Sequence, residues 1–333
     1  MMRKSRALWL GVLALVLLVL PQVVTSHFYV DIFIRVLLFA FIGVAWNLMG
    51  GYAKQLSLGH AAYFGLGAYT STLLQINYDV SPWIGMIAGG GVAMLASLPI
   101  GALCFRLKGP YFAISTIAMA EVLMLLFLKF RDFAWGAEGT TIPNLGNAPL
   151  MMQFEEKAGY YYIALGLLAL GLAINYWIEK SWMGYYLVAL GEDEDAAEAV
   201  GVDVPKVKRH IYLISAFLTA LAGTFYVQYI YFIDPNTAFS FNISVEAALV
   251  SIVGGIGTLW GPVVGTVLLE VTSALLQSWL GGGHGGVQLT VYALILMAVI
   301  LWRPAGLLGV IIAAFDRVFH TRNAGKTEAS LDG

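Results

Sequence analysis

Apolar runs of about twenty residues, each closed by a short polar or glycine-bearing stretch, recur along the whole chain. A helix needs roughly 20 apolar residues to cross hydrocarbon, so these runs predict membrane spans. Met1–Arg6 is basic and Ala7–Val24 apolar. No small-x-small cleavage site follows, so this reads as a retained first span rather than a signal peptide. Val30–Met49 is a second span, and a third ends near Leu74. Trp83–Leu103, Tyr111–Phe130, Tyr160–Ile178 and Ile211–Ile233 follow as the fourth to seventh. Ser244–Trp260 and Pro262–Trp279 read as spans eight and nine or as a re-entrant hairpin, and Val287–Trp302 as the tenth. The expected fold is an all-α polytopic membrane protein of about ten transmembrane helices, with both termini cytosolic and possible broken or re-entrant helices. Residues 1–24 form the first span. Residues 25–308 form the core, with one long polar connection at 179–210. The tail 309–333 is expected to be disordered.

The interruptions carry the candidate chemistry. Residues 47–69 mix glycine and alanine with polar side chains. Asn47, Gln55 and Ser57 there either fix non-helical backbone, which lipid cannot satisfy, or line a solute route. Gly89–Gly91 is expected to pack tightly against a neighbouring helix, since small residues let backbones approach in lipid. Three acids fall within spans: Glu121 near the centre of the fifth, Glu246 near the outer end of the eighth, and Glu270. An acid at bilayer depth is costly and usually faces the bundle interior. Each of the three either lines a pathway or bonds a neighbouring helix. Asp31 and Arg35, one turn apart, are expected to neutralise each other. His60, His284 and Cys104 read as structural.

Composition changes the picture only by confirming the setting. The 333 residues are 59% hydrophobic and 11% charged, against roughly a quarter charged in soluble domains. No basic stripe with interleaved aromatics suggests nucleic acid. One cysteine and scattered histidines give no metal-ligand spacing. With the N-terminus inside, the inner segments hold 14 of the 18 basic residues, as the positive-inside rule requires. That places 179–210 in the cytosol and the loop around Trp135–Thr141 on the opposite side. Gly325-Lys-Thr327 resembles the end of a phosphate loop, but His320 stands where the loop needs a glycine. The chain thus shows no means of using ATP itself.

The densest charge lies in Glu192–Gly201, which reads Glu-Asp-Glu-Asp-Ala-Ala-Glu-Ala-Val-Gly. Acids in the first turn suit the helix dipole. Gly201 suits a left-handed cap, and Pro205 should discourage further helix. Ala196, Ala197 and Val200 would give a small apolar face. The stretch predicts either a short cytosolic docking helix or a solvated acidic loop.

Four blocks then resemble the permeases of branched-chain amino-acid ABC uptake systems. They are Gly51–Tyr69, Gly109–Glu121, Glu192–Gly201, and Val253–Pro262 with Trp302–Leu307 downstream. The resemblance implies a non-enzymatic permease subunit in a bacterial cytoplasmic (inner) membrane. It implies a second permease, two cytosolic ATPases that carry ATP and Mg, and an extracytoplasmic substrate-binding protein. No cofactor is expected on this chain. Glu192, Glu194, Ala196, Ala197 and Gly201 would couple to the ATPase, the acids meeting its basic residues. Glu121, Glu246, Glu270, Asn47, Gln55 and Ser57 are candidates for the pathway. Trp135, Glu138 and Thr140 are candidates for contact with the binding protein. The solute class stays open among branched-chain amino acids, other amino acids, amides and urea. This sequence departs from the family pattern at Lys54, where a small residue is commoner, at Gly191, where a basic one often stands, and at Asp195, where an apolar one is usual. The outer loop also carries Glu138-Gly-Thr-Thr141 instead of an Asn-Gly-Leu ending. The alternative reading is a secondary transporter driven by an ion gradient, for which broken helices and membrane acids would serve. A non-transporting membrane scaffold has no use for either feature.

Overall fold

The computed structural model of the chain describes residues 16–24 and 26–280, with isolated positions between 290 and 309. Most of the expected tenth span and all but the first position of the tail lie outside the described residues. So does most of the expected first span, of which 16–23 are helical. Pro21 has no N–H to offer Leu17 four residues back. The Tyr161 hydroxyl donates to that carbonyl at 2.8 Å instead.

The central post is α1 (His27–Asn47), buried without break from Val36 to Asn47. A π-helical turn, Leu48–Tyr52, continues it, and the chain then runs irregularly to Gly59. Then follow α2 (His60–Tyr78), α3 (Pro82–Cys104), α4 (Pro110–Lys129) and α5 (Lys157–Lys180). Two short helices, α6 (Trp182–Glu192) and α7 (Glu194–Ala199), precede the long α8 (Val204–Ile230). A hairpin of α9 (Phe241–Gly255) and α10 (Gly261–Leu280) packs against α1.

Among the described residues, six helices are long and apolar enough to cross a membrane: α1 with its π turn, α3, α4, α5, α8, and α9 with the turn before it. The protein is therefore a multi-pass membrane protein. α2 stands outside that set for a physical reason. It is enclosed by α3 and α8, so it faces protein and can carry Ser71, Thr72 and Gln75 buried. Gln228 of α8 donates to Gln75 at 2.5 Å, and Thr224 donates to the Gly67 carbonyl at 3.0 Å.

Glycine sets the closest crossings. A Cβ on Gly67 would lie 2.1 Å from the Ala220 carbonyl oxygen, and one on Gly223 would lie 2.0 Å from that of Phe64. The Gly89–Gly91 run behaves as expected at two of its three positions. Gly89 meets the Gly67 backbone and Gly90 the Phe217 ring, while Gly91 meets nothing.

Two readings of helix ends and charges are corrected. Pro205 does not stop a helix but starts one, sitting in the first turn of α8. Its missing N–H costs nothing there, and the Asp203 carboxylate caps the turn by accepting from the Lys206 amide at 3.1 Å. Asp31 and Arg35 do not neutralise each other. Lys157 of α5 pairs with Asp31 at 2.5 Å, and the Tyr229 hydroxyl of α8 also donates to it. Arg35 lies 3.8 Å from Glu270. Partners on packed neighbouring helices have displaced a weak pair within one helix.

The polar contacts sort the loops to two ends of the bundle. Lys54, Lys108 and the 192–208 segment meet at one end. At the other, the Trp83 indole donates to the Pro149 carbonyl. There β1 (Thr140–Thr141) also pairs antiparallel with β2 (Phe232–Ile233).

Candidate functional site

The short helix α7 is present and closed at both ends. Asp193 caps it by accepting from the Ala196 amide at 2.9 Å. At its C-terminus the Gly201 amide donates to Glu198 and the Val202 amide to Ala197, at 2.9 and 3.0 Å. This is a Schellman arrangement, and it requires the positive φ of +91° that Gly201 adopts.

Its acids are already engaged within the chain. Lys54 pairs with Glu192 at 2.9 Å, Lys108 with Asp195 at 2.7 Å and Lys208 with Glu194 at 2.7 Å. Each lysine comes from a different part of the core: Lys108 and Lys208 tie α7 to the α3–α4 loop and to α8, and Lys54 ties the last residue of α6, just before it, to the break after α1. The first two are exposed and the third is not: the Lys208 side chain is 2% exposed. Hydrogen bonding and charge from Lys54 and Lys108 hold the Glu192 and Asp195 carboxyls below their ordinary range. Lys108 is raised in turn, first by its hydrogen bond to Asp195. These carboxylates therefore favour the docked state above their ordinary pKa. That contribution disappears as pH falls through their lowered values.

The apolar face also differs from expectation. Ala197 points into the permease and is 3% exposed. The outward face is instead Ala196, Ala199 and Val200. Glu198 is exposed and, among the described residues, in no ion pair. The exposed pairs are open to salt screening. Lys108→Gln, or high salt with the wild type, is expected to raise amide exchange over 192–200 several-fold while leaving α8 protected. Unchanged exchange would mean that these ion pairs do not hold α7.

The membrane candidates separate. Asn47 is 1% exposed and bridges the two glycine-rich breaks. Its amide donates to the Thr258 carbonyl at 2.9 Å and accepts from the Gly257 amide at 2.9 Å. The Ser57 carbonyl accepts from the Trp46 indole at 2.6 Å, and the Gln55 amide donates to the Met49 carbonyl. The Asn47 and Trp46 side chains thus fasten irregular backbone. His60 bonds Ser215 at 2.8 Å, and Ser215 bonds the Ala45 carbonyl, which is a packing role.

Glu246 and Glu270 meet beside Arg35, where a pocket of about 290 Å³ opens between α1 and α10. Glu121 is not in the bundle interior. It lies exposed on α4, in one stripe with Tyr111, Ile114, Ala118 and Leu125.

At the opposite end, Trp135 adopts a positive φ of 58° and is half-buried. Glu138 is exposed and paired with Arg131, and Thr140 is held in the two-stranded ladder opposite Ile233. The loop is further ordered by Gln153, which bonds Pro143 and Leu145.

Sequence reasoning missed Lys208 as an anchor and counted it only toward sidedness. The signal was its register. Val204, Val207, Lys208, Ile211 and Tyr212 lie on one helical face, and all are buried.

A bundle of apolar helices with an anchored polar helix at one end defines a multi-pass membrane protein. The family model described as branched-chain amino acid transport system / permease component matches residues 28–303, and the chain belongs to that family. The high-affinity branched-chain amino acid transport system permease protein LivM of Salmonella typhimurium (strain LT2) is 26% identical over 316 residues, covering 88% of this chain and 73% of the relative. LivH of Escherichia coli (strain K12) is 23% identical over 290 residues, covering 81% and 91%. The fructose import permease protein FrcC of Rhizobium meliloti is 27% identical over 207 residues, covering 59% and 56%. No solved structure matches the chain. The protein is a permease subunit of the ABC-importer type, and the ion-gradient reading is not favoured.

Proposed function

We propose that this chain translocates branched-chain or related amino acids across a bacterial cytoplasmic membrane, as one of two permeases driven by cytosolic ATPases. The observation that carries the reading is α7, a capped helix fastened by Lys108 and Lys208 at one end of the bundle, with Lys54 holding the end of α6 directly before it. A segment fixed in this way to three parts of the core transmits a push to all of them. Its free face of Ala196, Ala199 and Val200 offers an ATPase groove close approach. ATP binds the two states of the complex differently, and that difference supplies the free energy for switching.

The exposed stripe on α4 supports a second part of the reading. A carboxylate facing hydrocarbon at mid-span costs about 2.5–3.5 kcal/mol or more. The Glu121 side of α4 therefore faces the second permease across an aqueous route. Glu246 and Glu270 lie at the opposite end from α7, at the outer mouth, and the loop bearing Trp135, Glu138 and Thr140 meets the binding protein.

Ala199→Trp is expected to abolish ATPase co-purification and uptake while the permease remains monodisperse. Ala197→Trp tests something else, because that residue is buried in its own chain. Normal ATPase recovery and uptake with Ala199→Trp would sink the docking role.

A further inference from the structure

A cavity of about 390 Å³ opens beside α7, between the end of α3 and the start of α8. One wall is apolar, formed by Leu98, Ala102 and Phe105, and Arg106, Arg209 and the buried Lys208 also line it. Glu194 is the only acid in the lining, and it is already paired with Lys208. Arg106 and Arg209 are exposed, and among the described residues neither has an ion-pair partner. The cavity thus has two unpaired guanidiniums above an apolar floor.

Its depth is fixed by α3. That helix carries no charged residue from Pro82 to Cys104. Leu95 is 68% exposed and Leu98 39% exposed on its outer side. Such an exposed, uncharged apolar surface suits hydrocarbon, and Arg106 follows directly where it ends. The cavity therefore sits where hydrocarbon gives way to headgroups. Guanidiniums bind phosphate through paired hydrogen bonds, and basic pockets between transmembrane helices on the cytosolic side suit anionic headgroups.

We propose that this cavity binds one anionic diacyl phospholipid. Its phosphate sits between Arg106 and Arg209, and its acyl chains lie along the exposed leucines of α3. Glu194 lines the same cavity, so the bound headgroup braces α7 against α3 and α8. The site requires only that the protein be in a membrane, so it stands or falls apart from ATPase coupling.

The test uses the full chain in mild detergent, washed free of lipid and titrated with phosphatidylglycerol or phosphatidylcholine under native mass spectrometry. The wild type is expected to retain one phosphatidylglycerol in clear preference to phosphatidylcholine. The Arg106→Gln/Arg209→Gln double variant, with a wild-type gel-filtration profile, is expected to weaken that retention by about tenfold or more. Equal retention of the two lipids, or undiminished retention by the variant, overturns the proposal. Displacement of the lipid by millimolar inorganic phosphate would make free phosphate the ligand and overturn it too. Cross-linking of Ala102→Cys to a co-purified ATPase would assign the cavity to a protein partner, with the same consequence.

Discussion

Gly223→Val is expected to leave no folded permease to purify. The α2–α8 crossing brings backbone against backbone. The Cβ alone would lie 2.0 Å from the Phe64 carbonyl oxygen and 2.8 Å from its carbon. Neither atom belongs to a side chain that can rotate away. The two helices would have to separate by well over an ångström, and Gly67 faces Ala220 equally closely one turn along. In lipid there is no hydrophobic force between helices to offset the separation, because the association rests on packing and hydrogen bonds. Thr224 would also lose its bond to Gly67. Overpacking costs roughly 1–3 kcal/mol even where side chains can adjust, and more where they cannot. Stabilities total only about 5–15 kcal/mol. The measurement is the monodisperse fraction on gel filtration after solubilisation. Gly91→Val is the control, since its Cβ would meet nothing within 4 Å, and it is expected to behave as wild type. A normal profile for Gly223→Val would mean that α2 and α8 do not cross this closely.

Helix existence was legible in the sequence because lipid imposes it. Runs of apolar residues closed by polar ones have few other readings in a chain with mean hydropathy +0.79. What lipid does not see was harder. α2 is shielded by protein, so its polar residues blurred its end, expected near Leu74 and found at Tyr78. α8 starts at Val204 and not near Ile211, because its first two turns lie in the polar region and carry Lys206, Lys208 and Arg209. Which way a residue faces depends on neighbours far along the chain. Ala197 turning inward, Glu121 turning outward and Asp31 finding Lys157 are all of that kind. One signal was present and unused. Two departures from the family pattern, Lys54 and Asp195, each contribute one charge to a pair that fastens α7 or the end of α6 directly before it. An unusual charge in one block was matched by an opposite charge in another.

Glu194→Gln is expected to destabilise the permease by about 3–5 kcal/mol, because it leaves a buried ammonium without a counter-charge. The Lys208 side chain is 2% exposed, whereas that of Glu194 is 22% exposed. The two single variants should therefore differ. Lys208→Met strands a carboxylate that water still reaches, and it costs less. The double variant Glu194→Gln/Lys208→Met removes both charges and fills the buried stem with an apolar one, so it should melt close to the wild type. Thermal unfolding of the four proteins in one detergent closes the cycle. A large cost for Glu194→Gln that Lys208→Met fails to relieve would show that the pair is not the source. The same four proteins separate stability from coupling. In the rescued double variant the bundle is intact but α7 has lost its ion pair to α8. If α7 moves the core through that anchor, the assembled transporter will hydrolyse ATP and yet take up solute at a reduced rate. If uptake is also restored, Lys54 and Lys108 suffice to carry the motion, and the buried pair serves folding alone.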